Sequence, residues 1–225
     1  EFYQIYDEGV AQYAYLIGCD KTREAALFDP QRVITPYLKL AEEKNLKIVA
    51  VAETHIHADF LCGSRELATR TGARLYLSDE GEAPWKYEFV DQYAHRLLRD
   101  GDRFKIGNIQ FEAMHTPGHT PEHLAFLVTD TAGADRPMGI FTGDFVFVGD
   151  VGRPDLAQHV VSELTEEKLA DHLFDSLRNK IMPLSDDLIV YPNHGAGSAC
   201  GKMMSKETTD TLGHQKATNY ALRAD

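Results

Sequence analysis

A layered α+β domain is the fold class this sequence predicts. Short apolar runs bounded by Gly, Pro, Asn and Asp recur along the chain and read as strands. Helical periodicity falls between these runs rather than in a block of its own. Several of the runs end in loops that carry His and Asp, and loops placed by rigid strands are where chemistry usually sits. No internal repeat, low-complexity tract or linker is visible, so a single domain over residues 1–225 is expected.

Phe2 to Tyr6 and Ala11 to Cys19 read as a strand pair across Asp7-Glu8-Gly9, and Glu24 to Asp29 reads as a third strand. Thr35 is the expected N-cap of a helix, with Pro36 at its first position and Leu38, Leu40 and Ala41 carrying it to about Asn45. Ile48 to Ala52 reads as a buried strand that runs into His55-Ile56-His57-Ala58-Asp59-Phe60. A helix carrying Leu61, Arg65, Leu67 and Ala68 is expected next, with its stop near Thr71-Gly72. Ala73 to Ser78 is a strand, Gly81 to Pro84 a loop, and Asp91 to Leu98 a strand closed by Asp100-Gly101. Phe104 to Ile106, Ile109 to His115 and Leu124 to Thr129 read as successive strands, broken by Gly107-Asn108 and Thr116-Pro117-Gly118. A hydrophilic turn region over residues 130–137 precedes a strand from Gly139 to Thr142, which ends at Gly143-Asp144. Thr165, Glu166 and Glu167 start a helix toward Lys180. Leu188 to Tyr191 is the last strand, and Ser205 to Ala221 is weakly helical, interrupted at Gly213.

Lys plus Arg number 23 and Asp plus Glu 35, for a formal charge of −12. This acid excess, with no Lys/Arg block, argues against a nucleic-acid partner. No apolar run reaches the roughly 18 to 20 residues that cross a bilayer, so no membrane partner is expected. The start, Glu1-Phe2-Tyr3, is not a basic region followed by an apolar one, so no signal peptide is read there; a leader trimmed before it is compatible with the absence of an initial Met. Three cysteines form an odd, sparse set that fits a reducing compartment, and a cytoplasmic location is expected. Exposed strand edges or the N-terminal aromatics could support a homodimer.

His55, His57 and Asp59 alternate directly after an apolar strand. Strand geometry would put all three on one face, and a tight loop into a helix would draw several toward one point. Imidazole and carboxylate are preferred ligands of zinc and iron(II). The alternative is a polar turn with Asp59 capping the helix. His119 follows the Pro117-Gly118 turn, which would aim an imidazole reliably, and His115 precedes it. Each is also compatible with a loop or core histidine. Asp144 and His194 stand at the ends of further strands. Cys200 lies in a Gly/Ser/Ala loop near that cluster and is a candidate reactive thiol, with a small buried thiol as the alternative.

Taken in order, His55-x-His57-x-Asp59, Pro117-Gly118-His119-Thr120, Gly143-Asp144 and His194 resemble the metallo-β-lactamase superfamily over nearly the whole chain. The resemblance implies a four-layer αββα sandwich with metal at one edge. Binuclear hydrolases of that superfamily, glyoxalase II included, carry a histidine directly after the Asp; here Phe60 stands there and cannot bind a metal. A two-metal hydrolytic mechanism is therefore in doubt. Within the superfamily the chain is similar to persulfide dioxygenases of the bacterial type often fused to rhodanese domains. The stretches that carry this are Glu53 to Phe60, Gly63 to Leu67, His115 to Glu122, Gly149 to Leu156 and Tyr191 to Lys202.

That resemblance implies one Fe(2+) per chain, held by His55, His119 and Asp144, with open positions for substrate sulfur and dioxygen. His57, Asp59 and His194 would then support the catalytic centre through hydrogen bonds to its ligands or water. Arg153 would meet a carboxylate of the thiol substrate, and Ser198 and Lys202 would shape the same entrance. Phe60 either keeps the vacated metal position dry or is a plain core residue. The implied reaction oxidises glutathione persulfide, or a related low-molecular-weight thiol persulfide, with O2 and water to sulfite and thiol. A rhodanese domain or sulfurtransferase is the implied partner. Two rivals stand beside it: a mononuclear zinc thioester hydrolase of the glyoxalase II type, and a non-catalytic metal-stabilised binding or sulfur-relay domain.

Overall fold

The computed structural model describes residues 1–157 and 164–223. The first half builds one sheet from β1 (Phe2–Asp7), β2 (Gln12–Gly18), β3 (Glu24–Phe28), β4 (Lys47–Ala52), β5 (Arg74–Ser78) and β6 (His95–Leu98), in that spatial order. The first two pairings are antiparallel and the remaining three parallel. Helices α1 (Thr35–Glu43) and α2 (Ser64–Thr71) supply the crossovers β3-α1-β4 and β4-α2-β5. The second half builds another six-stranded sheet from β7 (Arg103–Ile106), β8 (Ile109–His115), β9 (Leu124–Asp130), β10 (Gly139–Gly143), β13 (Ile189–Pro192) and β14 (Asp210–Thr211). In space the order is β14-β13-β10-β9-β8-β7, and β10 with β13 is the parallel pair. A hairpin of β11 (Val146–Phe147) and β12 (Asp150–Val151) follows Asp144.

Alternation decides which side chains meet between the sheets. Tyr15, Phe28, Phe111, Phe126 and Phe141 point inward and are essentially inaccessible. Phe28 packs against Phe111, Phe126 and Phe141 with ring centroids 4.7–5.2 Å apart. Truncating any of these rings to Ala removes burial and leaves a cavity, at a cost of about 3–5 kcal/mol. The other faces are apolar too. Leu16, Leu27 and Val51 pack with Ile34, Tyr37 and Leu67 from the α1 and α2 side. On the far side, Ile140 and Val190 pack with residues of α3 (Glu166–Ser176), α4 (Leu212–Thr218) and α5 (Tyr220–Arg223), such as Leu173, Leu212 and Leu222. The result is the expected α+β four-layer sandwich, αββα.

Several local expectations need correction. Thr35 does not cap α1. Ile34 does, with no side-chain bond, because its carbonyl takes the first helical hydrogen bonds while its side chain is buried. Leu61 precedes α2 and is 66% exposed. Only His95–Leu98 of the 91–98 run is a strand, after a 3-10 turn at Val90–Gln92. The helix begun at Glu166 ends at Ser176 and passes into a π-helical turn, Leu177–Ile181. Residues 205–211 are not helical; α4 starts at Leu212, capped by Thr211 Oγ1 accepting from the His214 N–H, and Gly213 lies inside its first turn. No helix among the described residues is long and apolar enough to cross a membrane. Phe2 and Tyr6 are 37% and 48% exposed, and Phe2 also stacks on Tyr15 and Phe141.

Candidate metal centre

Six of the predicted residues, His55, His57, Asp59, His119, Asp144 and His194, converge at one edge of the sandwich, where strands of both sheets end. The loop after β4 starts from a firm anchor. Thr54 N–H donates to Asp29 Oδ1 at 2.8 Å, and Thr54 carbonyl accepts from Leu124 N–H at 2.7 Å. His55 follows, 1% exposed, with Nδ1 3.0 Å from Thr54 Oγ1. His119 comes from the loop between β8 and β9. Its Nδ1 donates to the Arg153 carbonyl at 2.9 Å, which fixes the proton on Nδ1 and leaves the Nε2 lone pair free. Asp144 follows β10 and is fully buried. Its Oδ2 lies 3.8 Å from His55 Nε2 and 3.5 Å from His119 Nε2.

Glycine makes this approach feasible. Gly143 has φ +52, and a Cβ there would sit 2.4 Å from His123 Nε2 and 2.7 Å from Thr54 Oγ1. A Cβ on Gly152 would fall 1.8 Å from the Asp144 carbonyl oxygen. Both positions let the backbone close around the carboxylate.

Neither oxygen of Asp144 has a hydrogen-bond partner among the described residues. A buried, unpartnered carboxylate is costly unless a cation meets it. One ligand atom each from His55, His119 and Asp144 lies within 4.8 Å of the others, so the set fits a bound metal ion. Burial and the neighbouring His57, His123 and His119 hold His55 far below the usual imidazole range, which keeps its nitrogen available as a ligand.

The supporting residues sit close by. His57 Nε2 lies 2.9 Å from Asp29 Oδ1. Burial lowers its basicity, but the Asp29 contact outweighs this and raises it. Phe60 lies against the His57 ring, with centroids 4.3 Å apart. His194 follows β13; its Nδ1 faces the Val10 and Ala11 carbonyls at 3.2 Å each. His194 Nε2 lies 3.1 Å from Asp59 Oδ2 and 3.5 Å from Asp144 Oδ1. Burial opposes protonation of His194, yet Asp144 and Asp59 push it up to about 11. Cys200 is 4% exposed, its Sγ is 3.9 Å from Asp59 Oδ2, and burial pushes its thiol up to about 11.

In the loop after β12, the Arg153 guanidinium forks onto Asp155, with Nε 3.0 Å from Oδ1 and Nη2 2.5 Å from Oδ2. Arg153 also donates to the Ala199 carbonyl at 3.3 Å. It borders, with Asp155 and the exposed Lys202, a cavity of about 400 Å³. Ser198 Oγ accepts from Cys200 N–H at 3.1 Å. His115 lies apart from the centre, with Nε2 2.8 Å from the Pro121 carbonyl.

Three contributors escaped the sequence reading. Asp29, buried and at φ 48, anchors both Thr54 and His57. An acid between an apolar strand and a proline was its visible signal. His123 is fully buried, 2.8 Å from Thr116 Oγ1 through Nδ1, with its ring centroid 5.1 Å from that of His55. Glu122 accepts the Ile56 N–H at 2.7 Å, and burial pushes its carboxyl up to about 7. Sequence alone does not separate these two from ordinary loop residues.

The fold and this buried His/His/Asp set define a metal-dependent enzyme. The chain belongs to the metallo-beta-lactamase superfamily, whose sequence profile matches residues 8–194. A solved structure described as a metallo-beta-lactamase from Staphylococcus aureus subsp. aureus COL is 42% identical, with a TM-score of 0.92. The match covers 100% of this chain and 64% of that one, so this chain spans under two thirds of it. Hydroxyacylglutathione hydrolase GloC of Haemophilus influenzae is 27% identical over 81% of this chain and 85% of its own length. The human mitochondrial persulfide dioxygenase ETHE1 is 30% identical over 85% of this chain and 66% of its own.

Proposed function

We propose that this chain is an iron(II)-dependent persulfide dioxygenase, with one iron held by His55, His119 and Asp144. Its substrate is a low-molecular-weight thiol persulfide, glutathione persulfide first among them. One persulfide, one O2 and one water yield one thiol and one sulfite. The S–S bond breaks, the terminal sulfur ends with three oxygens, and the thiol leaves with a proton.

The observation that carries this reading is the make-up of the converging set: one ligand atom each from His55, His119 and Asp144 lies within 4.8 Å of the others. The position after Asp59 is Phe60, packed against His57 with ring centroids 4.3 Å apart, and a phenyl ring offers no ligand. Two imidazoles and one carboxylate then remain, the facial set of non-heme iron oxygenases, with positions open for substrate. Iron(II) held there supplies the redox chemistry that dioxygen needs, which zinc lacks.

The chain's own groups do the rest. The Arg153 carbonyl orients His119, and Asp29 holds His57 and the Thr54 backbone beneath His55. The Asp59–His194 pair holds a proton beside Asp144. Arg153, Ser198 and Lys202 are assigned to the entrance, where the two cations recognise the carboxylates of the thiol carrier. The free thiols Cys19, Cys62 and Cys200 fit a reducing, cytoplasmic setting. A sulfurtransferase of the rhodanese kind is the proposed partner, as supplier of persulfide.

Oxygen uptake and sulfite release by the iron-loaded protein test the proposal. No turnover with several persulfides, despite bound iron, rejects it. The similarity to GloC supports a second reading, a mononuclear zinc thioester hydrolase. Stoichiometric zinc with thioesterase activity after anaerobic purification would favour that reading.

A further inference from the structure

We propose that a cavity beside α2 binds a small zwitterion, a free amino acid or short peptide, with its ammonium seated on Glu53 and its carboxylate at Arg32, Arg65 and Arg70. The cavity measures about 930 Å³, a size suited to a small-molecule ligand. Three connections enclose it: the loop after β3, the stretch from Ile56 into α2, and the loop between β5 and β6. Its lining includes none of His55, His119, Asp144 and Arg153, so it is separate from the metal centre and from the Arg153 cavity.

The floor calls for a cation. Glu53 lines the cavity although only 3% of it is exposed. Around its carboxyl stand the Ser64 and Tyr87 hydroxyls, the Cys62 thiol, and the Asp29 and His57 side chains. His57 meets Asp29 through Nε2 at 2.9 Å, and no Lys or Arg pairs with Glu53 among the described residues. A buried carboxylate without a cation is costly, and the Asp29 carboxylate adds repulsion. A primary ammonium brings the missing charge together with three N–H donors. The rings of Phe60, Tyr87, Phe89 and Tyr93 line the same cavity, and aromatic rings attract an ammonium.

The mouth calls for an anion on the same molecule. Arg32, Arg65 and Arg70 line it and are exposed, against Glu66 and Glu88. Lys86 is held by Asp79 at 3.2 Å. The Arg65 guanidinium lies 5.0 Å from the centroid of the Phe89 ring, which holds it over one wall. Arg32 and Arg70 form no ion pair among the described residues. A guanidinium fork suits a carboxylate. A polyanion would meet Glu53, Glu66 and Glu88, and a polycation would meet the three arginines. A molecule that carries one charge of each sign satisfies both ends. The inference goes beyond the dioxygenase proposal, and a binding readout keeps the two separate.

Isothermal titration calorimetry of the metal-loaded full chain is the test. The probes are dipeptides ending in glycine, whose first residue is aromatic, aliphatic or acidic. At least one is expected to bind once per chain, and its N-acetyl and C-amide forms at least tenfold more weakly. Glu53→Gln is expected to weaken the free dipeptide at least tenfold as well. Thr69, exposed on α2, lines the cavity. Thr69→Trp fills the space without touching the metal ligands and is expected to abolish binding. Absence of binding by every dipeptide at millimolar concentration, or an N-acetyl form that binds as well as the free one, overturns the proposal. Binding that survives in Thr69→Trp places the peptide on the metal or elsewhere and also overturns it. Should circular dichroism show that Glu53→Gln does not fold, the capped dipeptides and Thr69→Trp decide.

Discussion

His57 Nε2 and Asp29 Oδ1 lie 2.9 Å apart, with both side chains inaccessible to solvent. The same carboxylate oxygen accepts the Thr54 backbone N–H at 2.8 Å. One acid directly after β3 therefore holds both the His57 imidazole and the peptide that precedes His55. Asp29→Asn keeps an acceptor for Thr54 and removes the charge. Metal affinity, read by chelator competition, is expected to fall by about tenfold, as outer-sphere substitutions typically do. Unchanged affinity would show that Asp29 does not support the centre.

Asp144 is the proposed ligand whose loss separates metal binding from folding. Asp144→Asn is expected to lose bound iron and turnover together. Without metal, the variant should still fold, as read by circular dichroism, because neither Asp144 oxygen makes a hydrogen bond among the described residues. Full turnover in the variant, or a metal-free protein that no longer folds, would contradict this role.

Arg153 acts through two separate features. Its carbonyl orients His119, which no side-chain substitution touches, while its guanidinium forks onto Asp155. Arg153→Lys keeps the charge and loses the fork. It is expected to raise KM for glutathione persulfide by about tenfold, roughly 1.4 kcal/mol, with kcat nearly unchanged. A fall in kcat at constant KM would place the side chain's effect at the reacting centre instead.

Glu122 gives a stability signature in pH. Burial raises its carboxyl from 4.5 to about 7 in the folded state. Between those values the native state holds the extra proton, so stability falls as pH rises through this window. Glu122→Gln keeps an oxygen for the Ile56 N–H and removes the titration. Between pH 5 and pH 8 the variant should gain on wild type by about 1–3 kcal/mol in denaturant unfolding. A constant gap across that range would mean that Glu122 titrates normally.

The site was more legible than its supports. Strand-end acids and histidines stand out because an apolar run stops at them, so His55, Asp144 and His194 could be placed from β4, β10 and β13. Family resemblance then chose the ligands. The β11–β12 hairpin was invisible, since two-residue strands carry no periodicity. The start of α1 was misplaced by one residue because good capping chemistry at Thr35 yielded to burial of Ile34. Asp29 and His123 act through tertiary contacts with residues distant in sequence, and no local pattern announces those.

The decisive measurement is single-turnover oxygen consumption by protein loaded anaerobically with iron at His55, His119 and Asp144, using glutathione persulfide. One O2 consumed and one sulfite formed per persulfide is the predicted result. Absence of both, in protein whose iron content is one per chain, would contradict the account.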